Sequence, residues 1–206
     1  MKMMATHDKP IILASQSPRR SVLLREAGIA FEAVPPKYDE PDPAGWKSSP
    51  HNYADSISDA KARSVADDYP DRIILGADTV VALGSEIIGK PADRDDARTI
   101  LRKLFGSTHQ VITGVTIYQS ATQRCITRHA VTTATMRAMS NEELDAYLAG
   151  GEWKNKAGAY GIQDSGDTFV TIVEGGFSNV VGLPVALVLD MLAEFGIRPN
   201  RAGERD

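Results

Sequence analysis

Short apolar runs, punctuated by glycine, proline and polar turn residues, divide the chain into alternating elements. Ile11-Ile-Leu-Ala14 reads as a short buried strand; a polar Ser-Gln-Ser-Pro stretch and a helical pattern over residues 19–27 follow, stopped by Gly28. Residues 31–36 are extended. Residues 38–50, rich in Pro, Gly and Asp, form a loop leading to a helix over residues 53–67. The apolar run over residues 72–83 carries Asp78 in its middle, and Gly84-Ser85 turns it back into a short strand over residues 86–88. A helix over residues 93–105 precedes two long strands, residues 109–118 and 124–138, rich in Val, Ile and Thr. Ser140-Asn-Glu-Glu143 is a capping box for a helix ending at Gly150-Gly151. A glycine-rich loop over residues 158–166, a strand over 168–173 and a closing helix over 184–195, with proline in its first turn, complete the pattern.

Strands and helices alternate at both ends, but adjacent strands dominate the middle. The expectation is therefore an α/β fold with a mixed central sheet, the strands of residues 72–88 and 109–138 at its centre and helices on either side. A single domain over residues 11–197, with two lobes around a central cleft, follows a flexible leader at 1–10 and precedes a solvated tail at 198–206. The 206 residues are 42% hydrophobic and 24% charged, a composition that folds. The net charge of -4 gives no general attraction to nucleic acid, so any anion site is local. Cys125 is the single cysteine; it makes no internal disulfide and no zinc-binding thiolate cluster, which favours a reducing, cytoplasmic setting. The apolar run at 11–14 is far too short for a signal peptide core or a membrane span.

The chemistry concentrates in a few segments. In Ser15-Gln-Ser-Pro-Arg-Arg20, Ser17 caps a helix and Pro18 takes its first position. Arg19 and Arg20 then lie at the positive end of the helix dipole, an unfavourable term of about 0.3–1 kcal/mol each. A phosphate gripped by backbone N–H groups, hydroxyls and guanidinium forks would offset it; a capped surface helix with solvated arginines is the alternative. Asp78 inside an apolar strand is expensive to bury as a carboxylate without a metal or cation, which marks it as a metal ligand or the base that activates water. Glu40, in the loop, is a second candidate carboxylate, and Lys61 and Lys90 are candidate phosphate contacts. His109, a lone histidine, is not assigned as the base. The segment Lys154-Asn-Lys-Ala-Gly-Ala-Tyr-Gly-Ile-Gln163 joins cations, glycines and an amide able to read a base edge, or is a tight loop. Neither a P-loop nor a dinucleotide fingerprint is present.

In order along the chain, Ser15-Gln-Ser-Pro-Arg-Arg20, Asp39-Glu40, Lys61, Gly76-Ala-Asp-Thr-Val-Val81, Gly89-Lys-Pro91, His109-Gln-Val-Ile-Thr-Gly114, Lys156-Ala-Gly-Ala-Tyr-Gly-Ile-Gln163 and Asn179-Val-Val-Gly-Leu-Pro184 resemble the Maf family, over residues 11–195. The resemblance implies a fold similar to inosine triphosphate pyrophosphatases and a cytoplasmic nucleotide pyrophosphatase, often dimeric, that needs a divalent cation such as Mg or Mn. Ala77-Asp-Thr79 and the Ile-Gln ending resemble the branch acting on dTTP and UTP. By that analogy Asp78 is the catalytic base, while Arg19, Thr79 and Gln163 set base preference. Ser15, Arg19, Arg20, Lys61 and Lys90 hold the triphosphate, and Glu40 and Asp78 hold the metal. Three features depart from the family pattern: Gly106-Ser-Thr stands for Ser-Gly-Arg, Asp164 for the glycine after Ile-Gln, and Gly176-Phe for Ser-Tyr. Alternatives are a pyrophosphatase for modified purine nucleotides, such as 7-methyl-GTP or inosine triphosphate, and a nucleotide-sensing regulator of cell division.

Overall fold

The computed structural model describes residues 9–162 and 168–200. A seven-stranded sheet forms its centre: β1 (Ile11–Ala14), β2 (Phe31–Val34), β3 (Ile73–Leu83), β4 (Glu86–Ile88), β5 (Thr108–Gln119), β6 (Arg124–Met136) and β7 (Val170–Glu174). Their order is β2-β1-β3-β5-β6-β7, with β4 folded back on β3. β2, β1 and β3 run parallel, whereas β3, β5, β6 and β7 pair antiparallel, so the sheet is mixed as the pattern predicts. The parallel half needs crossovers, and α1 (Pro18–Glu26) and α2 (Pro50–Arg63) supply them. The antiparallel half grows from hairpins.

Along β3 the side chains alternate. Ile73, Leu75 and Ala77 join the cluster of α1 and α6 (Val185–Glu194), where Leu24, Val188, Met191 and Leu192 are buried. Val81, on the same face, belongs to a second cluster with α3 (Arg94–Leu104) and α4 (Asn141–Gly150). Between the two clusters stand Thr79 of β3 and its partner Thr113 of β5, both polar, so the apolar packing is interrupted there. The opposite face, with Ile74, Val80 and Ile112, is covered by α2 through Tyr53, Ala54, Ile57 and Ala62.

Glycine allows α2 to lie unusually close. A Cβ on Gly76 would come within 2.2 Å of the Ser58 carbonyl oxygen, and one on Gly114 within 2.3 Å of that of Ala54. This approach brings Lys61, two turns along α2 from Ala54, against β3. Two helix boundaries differ from the sequence expectation. Helix α2 begins at Pro50 rather than residue 53, because the Ser49 side chain accepts from the Asn52 N–H and proline fits the first turn, repeating the Ser17-Pro18 start of α1. It also ends at Arg63, beyond which only a 3-10 turn over Ala66–Asp68 continues. A five-residue helix, α5 (Phe177–Val181), lies where no helix was expected; it is too short to show a period.

Candidate active site

The sheet leaves a gap at its middle. β1 pairs with β3 up to Gly76 and β4 pairs from Val81, so residues 77–80 have no strand neighbour on that edge. Asp78 and Thr79 occupy this stretch and, by alternation, point to opposite faces. A cleft of about 490 Å³ opens there, lined by both, by Ser15, Arg19 and Arg20, by Glu40, Lys61 and Lys90, and by the segment from Asn155 to Ile162. A second cavity of about 560 Å³ adjoins it and shares Glu40, Asp78, Thr79 and Lys90 as its wall.

On the α2 face, Lys61 Nζ donates to Asp78 Oδ1 at 2.7 Å and lies 2.7 Å from Glu40 Oε1. Lys61 and Asp78 are each only 5% exposed. Glu40 is held from the other side by Lys90, 3.6 Å from Oε2 and half-exposed. Burial pushes the Glu40 carboxyl up, but the Lys61 ammonium, then Lys90 and Arg20, outweigh it and hold the carboxyl below its ordinary value. The loop bearing Glu40 is tied to α2 because Tyr53 donates its hydroxyl to the Pro41 carbonyl at 2.8 Å, and Trp46 packs edge-on against the Tyr53 ring.

The other face is organised by the arginines. Arg20 is buried; its Nε donates to the Gly182 carbonyl at 2.8 Å, Nη1 to Ser15 Oγ at 3.3 Å and Nη2 to Thr79 Oγ1 at 3.0 Å. Arg19 Nε donates to the neighbouring Val181 carbonyl at 3.3 Å. Adjacent guanidinium groups thus grip adjacent carbonyls at the C-terminal, negative end of α5, which counters their unfavourable place at the start of α1. Burial lowers the Arg20 pKa, while Asp78 and Glu40 oppose that shift. Helix α1 buries only Arg20 and Leu24. A buried leucine contributes about 1.5–3 kcal/mol and each hydrogen bond about 0.5–1.5 kcal/mol, so the arginine positions α1 as much as its apolar contact does. Thr79 and Thr113 hydroxyls lie 2.9 Å apart, and Asn179 Nδ2 donates to the Val111 carbonyl and to Thr132 Oγ1, each at 3.0 Å.

Ser15, Arg19, Arg20, Glu40, Lys61, Asp78, Thr79 and Lys90, scattered over 76 positions of sequence, therefore meet at one cleft. Gln163 lies outside the described residues. Sequence reasoning did not single out Tyr53 or the Gly182 carbonyl. Tyr53 gives no signal beyond helix periodicity, and a backbone carbonyl gives none at all.

Among the described residues no group of three or more His, Cys, Asp and Glu side chains is arranged to hold a metal. The available donors are the carboxylates of Glu40 and Asp78, which share the Lys61 ammonium. Two carboxylates suit a hard cation that takes its remaining ligands from phosphate and water, rather than a fully protein-built cage.

A mixed α/β sheet interrupted at its centre, with paired carboxylates and clustered cations around the gap, defines a protein built to hold and process a phosphorylated ligand. Residues 10–195 match the family described as Maf-like protein, and the chain belongs to that family. Its similarity to curated relatives spans nearly the whole domain. It is 46% identical over 187 residues to a dTTP/UTP pyrophosphatase of Nitratidesulfovibrio vulgaris, covering 91% of this chain and 88% of the relative. It is 43% identical over 188 residues to one of Dictyoglomus thermophilum, covering 91% and 97%, and 43% identical over 194 residues to one of Bacillus cereus, covering 94% of both. No helix among the described residues is long and apolar enough to cross a membrane.

Proposed function

We propose that the protein is a nucleoside triphosphate pyrophosphatase that hydrolyses dTTP and UTP to the monophosphate and pyrophosphate in the cytoplasm. The observation that carries this reading is the Asp78–Lys61–Glu40 cluster at the unpaired stretch of β3, facing a cleft lined by Arg19, Arg20 and Lys90. The names of the relatives support the pyrimidine substrates.

In this reading Asp78 is the general base. Its Oδ1 is occupied by Lys61, and Oδ2 accepts no hydrogen bond from the described residues, which leaves it available to a water. The water oxygen bonds to the α-phosphorus, its proton passes to Asp78, and the α–β anhydride bond breaks with its electron pair leaving on pyrophosphate. Lys61 holds Asp78 in place through its hydrogen bond to Oδ1 and, with Lys90 and Arg19, stabilises the charge that grows on the phosphates. Arg20 has three of its donors committed to the protein, so its part is chiefly to fix Thr79, Ser15 and the Gly182 turn around the ligand. Glu40 and Asp78 would hold a divalent cation, Mg or Mn, which when bound supplies charge neutralisation at the phosphates and a more acidic water.

A panel of dTTP, UTP, 7-methyl-GTP and inosine triphosphate, assayed for pyrophosphate with Mg or Mn, tests the reading. Repeated turnover is expected, fastest on dTTP and UTP. Stoichiometric binding without turnover would instead indicate a nucleotide sensor, and preference for either purine would reassign the substrate.

A further inference from the structure

The wall of the main cleft is not uniform. Val81, Val111 and Tyr160 belong to one apolar cluster, Ala157 and Val180 pack against it, and all five line the cleft together with Ile162. The phosphate-gripping side chains line the remainder. A flat, largely apolar ring with a polar edge suits the apolar wall. Tyr160 brings the one hydroxyl of that group, and it lies 2.7 Å from His109 Nε2, with the two rings edge to face.

The segment carrying Tyr160 is firmly fixed. The Gly158 N–H donates to the Gly89 carbonyl at 3.1 Å, and Tyr147 donates its hydroxyl to the Ala159 carbonyl at 3.2 Å. Ala159 itself takes φ +60°, a left-handed conformation that a non-glycine residue keeps only where its surroundings impose it.

His109 decides where the phenolic hydrogen points. Burial lowers its pKa to about 4, so near neutral pH the ring carries one N–H. Nδ1 is buried without a partner among the described residues. A hydrogen on Nδ1 would be an orphaned buried donor, which folded proteins avoid more strictly than an unused lone pair. The proton is placed on Nε2, which donates to the phenolic oxygen: the donor then left over is the hydroxyl of Tyr160, a residue that lines the cleft and can meet a ligand, whereas His109 does not line it.

We propose that the Tyr160 hydroxyl donates a hydrogen bond to a ring carbonyl oxygen of the bound nucleobase, and that His109 is the positioning residue that aims it. This rests on the nucleotide reading of the cleft. Tyr160→Phe preserves the ring and its packing. Its KM for dTTP is expected to rise about three- to tenfold, the share of one neutral hydrogen bond, with kcat little changed. Competitive inhibition by inorganic tripolyphosphate, which has no base, is expected to stay as in the wild type. His109→Phe should show the same KM rise, and His109→Gln, which retains an N–H donor, should recover part of it. In ¹⁵N spectra of the wild type, His109 Nδ1 is expected in its unprotonated range.

An unchanged KM in Tyr160→Phe, an equal loss of tripolyphosphate inhibition, or a protonated Nδ1 would overturn the proposal. Should the wild type turn over no triphosphate, the pyrophosphatase reading fails on its own. Calorimetric binding of dTTP to wild type and Tyr160→Phe then decides the role of Tyr160 by the same three- to tenfold criterion.

Discussion

Two buried polar pairs adjoin the same cleft, one through both members and the other through Tyr160 alone, and they have opposite electrostatic character. Lys61 and Asp78, each 5% exposed, form an ion pair that a third charge, Glu40, completes. His109 and Tyr160, 2% and 5% exposed, form a pair in which burial lowers the imidazole pKa to about 4 and raises that of the phenol. Burial alone does not set the outcome. Around Lys61 there are two carboxylates and the neighbouring cations Lys90 and Arg20, so charge is compensated. Tyr160 belongs to an apolar cluster with Val81, Val111, Tyr147 and Phe169, and among the described residues neither it nor His109 has an ionic partner, so both groups stay neutral. One site is thus suited to moving protons and holding phosphate, the other to shape and hydrogen-bond recognition.

Breaking the ionic pair should have the largest effect. Lys61→Met removes the ammonium and leaves Asp78 buried beside Glu40, which is expected to cost about 3–5 kcal/mol of unfolding free energy, read as a lower denaturant midpoint, together with most of the activity. A loss confined to activity would mean that the pair adds nothing to the fold.

The neutral pair should register in pH. The folded-state pKa of His109 lies below its ordinary 6.5, so the unfolded chain binds a proton that the folded chain refuses. Its contribution to stability is full above about pH 6.5 and declines as pH falls toward about 4, by on the order of 3 kcal/mol across that window. Unfolding free energies at several pH values should therefore fall less steeply with acid in His109→Gln than in the wild type. Parallel curves would show that the wild-type imidazole takes up its proton while folded.

The smallest expected effect lies between the two sites. Thr79→Val deletes the hydroxyl that accepts from Arg20 and approaches Thr113, for a loss of about 1–2 kcal/mol. A change within error would show that Arg20 finds another acceptor.

Much of this was legible in the chain. Ser17-Pro18 announced a helix start, the apolar run around Asp78 announced a strand with a misplaced charge, and the hairpin-rich middle announced a mixed sheet. What escaped was information carried by contacts rather than by pattern. Ser49-Pro50 repeats the Ser17-Pro18 signal, but within a loop-like composition that masks it. Arg20 reads as a phosphate ligand because sequence does not reveal the Gly182 carbonyl, 162 residues away, to which it is bound. Gly76 and Gly114 are ordinary strand glycines until α2 is laid across them. His109, which the sequence left unassigned as a base, lies buried with its Nε2 against the Tyr160 hydroxyl, a partner 51 residues distant that no local pattern reveals.

In the proposed reaction Asp78, held by Lys61 at the unpaired stretch of β3, takes the proton of the attacking water. Asp78→Asn retains the size of the side chain and one hydrogen-bond acceptor. The decisive measurement is the rate of pyrophosphate release from dTTP by this variant, alongside a melting curve showing that it is folded. A folded variant with turnover lowered by at least about 10²–10⁴-fold is the predicted result, the range that general-base catalysis provides. Release at a rate near that of the wild type would show that Asp78 is not the base.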